Sequence, residues 1–250
     1  MDGLDGQFEQ LRKYFSKLDA SQKKKFIGNL RSKVEKLENS KNSNEYEKFL
    51  NECINECIIA YNLELGQIYS ENEDWDCAIE CWVKAAEMGC QYSMKDLVFV
   101  YADSELGRSD SAKFFKWLDR LAKCEDAWAM VILGTILCGN THIIWKHTFD
   151  ENVFSEYVNL QKGIHLIEKG MNFDEGKNLN LYDYDAIADV YDAIYRQDNH
   201  RDLKKFKTML MYRRKVLELA YEENNEEYIE IYEEWIKALE DEEKDIEGNF

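Results

Sequence analysis

Not one proline occurs in the 250 residues of this chain. Average usage of about 5% would place roughly a dozen there, and proline is the residue that breaks helix interiors. Only 12 glycines accompany that absence, so few residues remain that weaken a helix. The expectation is an all-α protein with short connections. β-branched runs such as VFVY, residues 98–101, are too brief to read as strands.

The chain is long enough for a large buried core. Its start, MDGLDGQFEQLRKYF, has early acids and lacks the apolar centre of a secretory signal. The longest nearly apolar run, AWAMVILGTILCG at 127–139, is too short to cross a bilayer. A soluble, cytoplasmic protein is expected, and seven cysteines without an export signal fit thiols in a reducing compartment.

The formal charge of -18 is uneven. Residues 1–50 carry 11 basic and 8 acidic side chains, whereas residues 221–250 carry 13 acidic and 2 basic. Most of such a surface repels nucleic acid but not basic or helical protein partners, and no direct nucleic-acid or membrane partner is expected.

Periodicity organises the middle of the chain. In LGQIYSENEDWDCAIECWVKAAEMG, residues 65–89, Leu65, Gly66 and Tyr69 share one side of a helix, and a polar turn follows. Ala78, Trp82, Ala85 and Ala86 then mark the inner face of a second helix, with Asp74 placed to cap its start and Gly89 to end it. Small Gly66 and Ala78 let the two backbones approach, while Tyr69 and Trp82 fill the space beside them. The pattern returns with Ser93, Leu97 and Tyr101 followed by Ala112, Trp117, Leu121 and Ala122. It returns again with Ala127, Ala129, Leu133 and Gly134 followed by Gly163, Ile167 and Gly170. A fourth unit opens at Ile187, Ala188 and Tyr191, continues through LKKFKTMLMYRRKVLELAY, and gives way to a terminal helix, NNEEYIEIYEEWIKAL.

The string Leu65-Gly66-x-x-Tyr69, then Ala78, Trp82, Ala85, Ala86 and Gly89, with Ser93 and Leu97 beyond, resembles a Sel1-like repeat, a relative of the tetratricopeptide repeat. Equivalent small positions lie 32, 36, 54 and 44 residues apart, and the 54 marks an insertion. Within the pattern, Val98 and Glu125 stand where glycine is usual and Leu137 where tyrosine is. The resemblance implies a right-handed α-solenoid of antiparallel helix hairpins. The expected organisation is a helical cap or small bundle over 1–44 with a break near Asp19, and repeats over 45–224 with an insertion at about 138–160. An acidic capping helix and tail would occupy 225–250.

Conventional site chemistry is sparse. Cys53 with Cys57, and Cys77 with Cys81, are spaced four apart on helices, but this is not the tight spacing of structural zinc sites. Buried as thiols, they read as small core hydrophobes. His142, His147, His165 and His200 are scattered, and Cys138 with His142 has no third group to orient it. No phosphate-binding or HExxH motif occurs. The expectation is no metal, no cofactor and no enzymatic activity. Lys204, Lys205, Lys207, Arg213, Arg214 and Lys215 form one basic segment, read as a helix face paired with neighbouring acids.

By the same resemblance, the first helix of each hairpin lines a concave face. The positions implied are Leu63, Gln67 and Ser70; Tyr92, Lys95 and Phe99; Trp128, Val131 and Thr135; and Tyr182, Asp185, Asp189 and Asp192. Aromatic residues leading to three aspartates suit a protein or peptide partner with an apolar anchor and basic residues. The expected function is a non-catalytic adaptor or scaffold. Two rivals stand beside it: an acidic inhibitor or decoy occupying the basic site of a nucleic-acid-processing protein, and a ligand sensor that changes superhelical pitch. The aromatic insertion, with Trp145, Phe149, Phe154 and Tyr157, reads either as a binding loop or as a lid folded back on the helices.

Overall fold

The structure is a computed structural model that describes residues 15–38, 44–140, 149, 153–174, 179–197 and 202–248. Among these there are ten α-helices, one 3-10 turn and no strand. No helix among them is long and apolar enough to span a membrane. The chain forms two compact units, 1–99 and 100–250.

Aspartate and asparagine mark the helix starts, because their short side chains accept from backbone N–H groups that have no partner in the first turn. Asp74 accepts from Cys77 N at 3.3 Å, Asp110 from Lys113 N at 3.0 Å and Asp126 from Ala129 N at 2.8 Å. Asn159, Asn180, Asp202 and Asn225 serve later helices in the same way. At the expected break, Asp19 and Gln22 cap each other reciprocally, Gln22 N donating to Asp19 at 2.8 Å and Asp19 N to Gln22 at 3.0 Å.

In the first unit, α1 (Ala20–Glu38) packs on α2 (Asn44–Glu71), which packs on α3 (Trp75–Glu87). Phe15, Ile27 and Leu30 meet Cys53, Ile54 and Cys57 in one buried cluster. Lys23 is buried beside it, its ammonium over the Phe15 ring and paired with Glu64. Ala78, Cys81, Trp82, Ala85 and Ala86 form the buried face of α3. Gly66 is required at this crossing: a β-carbon there would stand 2.5 Å from Trp82 Cδ1. α4 (Gln91–Ala102) follows and carries the boundary between the units within it. Residues 1–14 of the expected N-terminal cap and 39–43 of its polar break lie outside the described residues.

On α4, Asp96 is partly buried, and that burial raises its pKa to about 6 although Lys95 opposes the shift. The folded chain therefore holds this proton more tightly than the unfolded one. Stability associated with Asp96 is present at low pH and is lost as pH rises through about 6. Asp96→Asn is expected to stabilise the protein at pH 7.5 by about 1 kcal/mol once solvent screening is allowed for, seen as a higher Tm, and to have little effect at pH 4. Thermal melts of both proteins at the two pH values check this.

In the second unit, α5 (Ser111–Lys123) packs on α6 (Ala127–Leu137), α6 on α7 (Leu160–Asp174), and α8 (Leu181–Gln197) on α9 (Leu203–Glu223). α10 (Glu226–Gly248) packs on α9, and α6 also touches α8. All eleven residues of α6 are buried. A helix apolar all round belongs at the centre of a core, with neighbours on several sides.

The α6–α7 crossing is built on glycine. A β-carbon on Gly134 would lie 2.8 Å from Gly163 O, one on Gly163 would lie 2.7 Å from Gly134 O, and one on Gly170 would lie 2.8 Å from Ala127 O. Glu125, at the place where the first hairpin has Gly89, adopts a left-handed φ of 63° and is paired with Lys169 at 3.0 Å. The backbone geometry of the glycine is kept without the glycine.

The described part of the insertion folds back. Phe154 is buried against Phe114 and Phe115, and Tyr157 stacks on Phe115 with centroids 4.2 Å apart. Phe149 packs edge-on to Phe154. Trp145 lies outside the described residues.

Candidate functional site

The first unit contains a cavity of about 540 Å³ lined by Glu56, Ile59, Ala60 and Leu63 of α2 and by Gly89, Cys90, Gln91 and Tyr92 at the turn into α4. Gly89, with φ 99°, reverses the chain there, so that α4 begins beside α2's apolar flank. Tyr92 is 76% exposed at the rim. Leu63 and Tyr92, implied from sequence at different helices, are brought together in this groove. Phe99 is also exposed and Lys95 partly so, on the same helix as Tyr92. Gln67 is exposed, and Ser70 is partly buried with its hydroxyl donating to Gln67 O at 2.8 Å.

α2 carries six carboxylates (Glu45, Glu47, Glu52, Glu56, Glu64 and Glu71) against one lysine, Lys48, a balance of -5. Of these, Glu56 lines the groove beside its apolar floor, and Glu64 is paired with Lys23.

In the second unit the implied positions divide. Trp128 is 6% exposed, and Val131 and Thr135 are buried with it in α6. These side chains are core in this structure, because α6 has neighbours on several sides and no free face. Tyr182 is exposed at the start of α8, edge-on to Tyr228 of α10 at 5.6 Å.

Asp185 and Asp189 meet the chain's own α9 and α10. Arg213, 5% exposed, donates through Nη1 to Asp185 and through Nη2 to Asp189. The same Nη1 donates to the Tyr232 hydroxyl at 2.9 Å, and that hydroxyl donates in turn to Asp185. Burial pushes the Asp185 carboxyl up, while the Tyr232 hydrogen bond and Arg213 pull it back. The Tyr232 phenol is driven far up by burial, with Asp185 adding to the shift. Asp192 pairs with Arg196 of its own helix, Nη2 to Oδ2 at 2.9 Å.

Along α10, Tyr228, Tyr232 and Trp235 fall on one face at spacings of four and three and form a ring ladder with centroids 5.6 and 5.4 Å apart. Arg213 stands over the Trp235 ring at 5.3 Å. A cavity of about 340 Å³ opens beside this ladder, between α8, α9 and α10. Arg213 belongs to the basic segment expected to pair with neighbouring acids, whereas Tyr228, Tyr232 and Trp235 are members of this site that the repeat pattern does not mark. Their signal was the aromatic spacing on α10, which implies a face laid against something.

The basic segment of α9 is engaged. Arg214 meets Glu240 at 2.8 Å and Lys207 meets Glu243 at 3.6 Å, both across to α10, while Lys215 meets Glu218 at 2.9 Å.

All seven cysteines are thiols. Burial pushes Cys57 and Cys138 up to about 12, the opposite of the shift that activates a nucleophile. His142, His147 and His200 lie outside the described residues.

The chain matches no family model. No curated protein and no solved structure matches it.

Proposed function

We propose that the protein is a non-catalytic adaptor that binds a segment of another protein in the groove between α2 and the α3–α4 turn. The occupant is an apolar anchor side chain with a basic residue beside it. The carrying observation is Tyr92, an aromatic ring 76% exposed at the rim of an apolar cavity. Large exposed rings over a pocket are typical anchoring points of interfaces. Glu56 at the groove, on a helix of acidic sequence balance, favours a cationic flank.

The wider reading is a cytoplasmic scaffold of Sel1-like hairpins stacked as a right-handed solenoid. Supporting it are the helix pairs α2–α3, α6–α7 and α8–α9, and the small residues at Gly66, Gly134 and Gly163 where those helices cross. A rigid helical surface loses little backbone entropy on binding.

Leu63→Ser and Tyr92→Ser test the groove, compared with Met211→Ser, an exposed apolar site in the second unit. Tyr92→Ser and Met211→Ser are surface changes that leave stability nearly unaltered, whereas Leu63 is partly buried, so all four proteins are compared well below their melting temperatures. The expected result is that proteins retained from native-cell extract by the wild-type chain and by Met211→Ser fall at least about tenfold with either groove variant, the loss of roughly 1.4 kcal/mol or more. Equal retention by all four proteins overturns the proposal.

A further inference from the structure

We infer that the cavity between α8, α9 and α10 is a second recognition site, independent of the first-unit groove, and that it takes the cationic side chain of a protein partner.

The walls fit the two halves of such a side chain. Met209 of α9 and Trp235, Ala238 and Leu239 of α10 offer an apolar path for a methylene stem. The Trp235 ring already carries Arg213 at 5.3 Å and is still 50% exposed, so its exposed part is left for a second guanidinium or ammonium. Asp189 and Asp192 stand at the polar side together with Arg196 and Arg213.

Charge decides the sign of the guest. The cavity lining itself pairs Asp189 and Asp192 with Arg213 and Arg196, and Asp185, which shares Arg213 from outside the cavity, brings the α8 cluster to one negative charge in excess. Asp189 engages Arg213 through one of its two oxygens, and its side chain is 39% exposed. Arg196 is a mostly exposed group whose link to Asp192 is a surface pair of little strength. An incoming cation therefore completes the count at Asp189 and displaces Arg196 from Asp192 with little loss. An anion meets the excess carboxylate and the acidic α10, where 11 acids face 2 lysines over 226–248.

The probe is the peptide acetyl-Gly-Arg-Arg-Gly-amide, titrated by calorimetry into the full chain at low salt, with its lysine counterpart in parallel. Any protein of charge -18 attracts such peptides diffusely, so the variants must separate a site from a field. Asp189→Asn and Trp235→Leu are expected to weaken binding at least about fivefold. The control Glu230→Gln removes an equal charge from an exposed position of α10 and is expected to change affinity less than twofold. Trp235→Leu is charge-neutral, so it carries the test should Asp189→Asn melt early. Equal weakening by Asp189→Asn and Glu230→Gln, or unchanged affinity in Trp235→Leu, overturns the inference. Because no first-unit residue takes part, this result and that of the Tyr92 experiment stand or fall separately.

Discussion

Gly163→Ala is expected to destabilise the protein by about 2–3 kcal/mol, seen as a fall in Tm of roughly 5–10 °C. Alanine is otherwise the better helix former by about 1 kcal/mol, so an exposed glycine of α7 would gain from the same change. At position 163 the added carbon would meet Gly134 O at 2.7 Å and Cys138 N at 3.0 Å. Those are backbone atoms of α6, which cannot turn aside as a side chain can. The helices must separate, and α6 is the buried centre of its unit. Gly134→Ala should act alike, its carbon meeting Gly163 O at 2.8 Å and Ile167 N at 3.0 Å. Both substitutions wedge the same crossing, so the double variant should lose less than the sum. Unchanged melting in both single variants would mean that the helices do not cross this closely.

Arg213→Met is the second large effect, expected at about 3–5 kcal/mol because it leaves carboxylates without their buried partner. Asp185 is mostly enclosed and already pushed up by burial, with Tyr232 and Arg213 opposing that push. Without the guanidinium its folded-state pKa rises further above that of the unfolded chain. A carboxyl with a raised folded pKa is tolerated at low pH and penalised as pH rises through that value. The variant should therefore lose more stability at pH 8 than at pH 5, in denaturant titrations at the two values. A loss equal at both would assign the effect to packing alone. Arg213→Lys should recover part of it, since an ammonium keeps the charge but cannot offer a planar fork to two carboxylates.

The helices and the pairings α2–α3, α6–α7 and α8–α9 were legible because they rest on local signals, whereas the expected hairpin of α4 with α5 is not among the closely packed pairs of the described residues. Absence of proline, small residues at Gly66, Ala78, Gly134 and Gly163, and the cap at Asp74 are readable without knowing the tertiary arrangement. The caps at Asp110, Asp126 and Asp202 carried the same signal. Surfaces were less legible, because a side chain's exposure depends on which helices surround it. Trp128 sits at a position that faces outward in a one-sided helix, but AWAMVILGTIL has no polar face and became core. Asp185 and Asp189 read as a solvated or partner-facing stripe because their cation, Arg213, is 28 and 24 residues away. Leu63 and Tyr92 meet at one groove because the turn at Gly89 is tight, which the sequence marks with a glycine.

The most direct measurement of the adaptor reading is photocrosslinking from the groove itself. A benzophenone side chain replaces Tyr92 in the full chain, with the same group at Met211 as the comparison, and native-cell extract is irradiated with each. A binding groove at Tyr92 gives one dominant adduct from position 92 that is absent from position 211, with the linked peptide carrying an apolar side chain and a lysine or arginine within a few residues. Adducts equally abundant from both positions, or a linked segment that is acidic and lacks an apolar anchor, would contradict it.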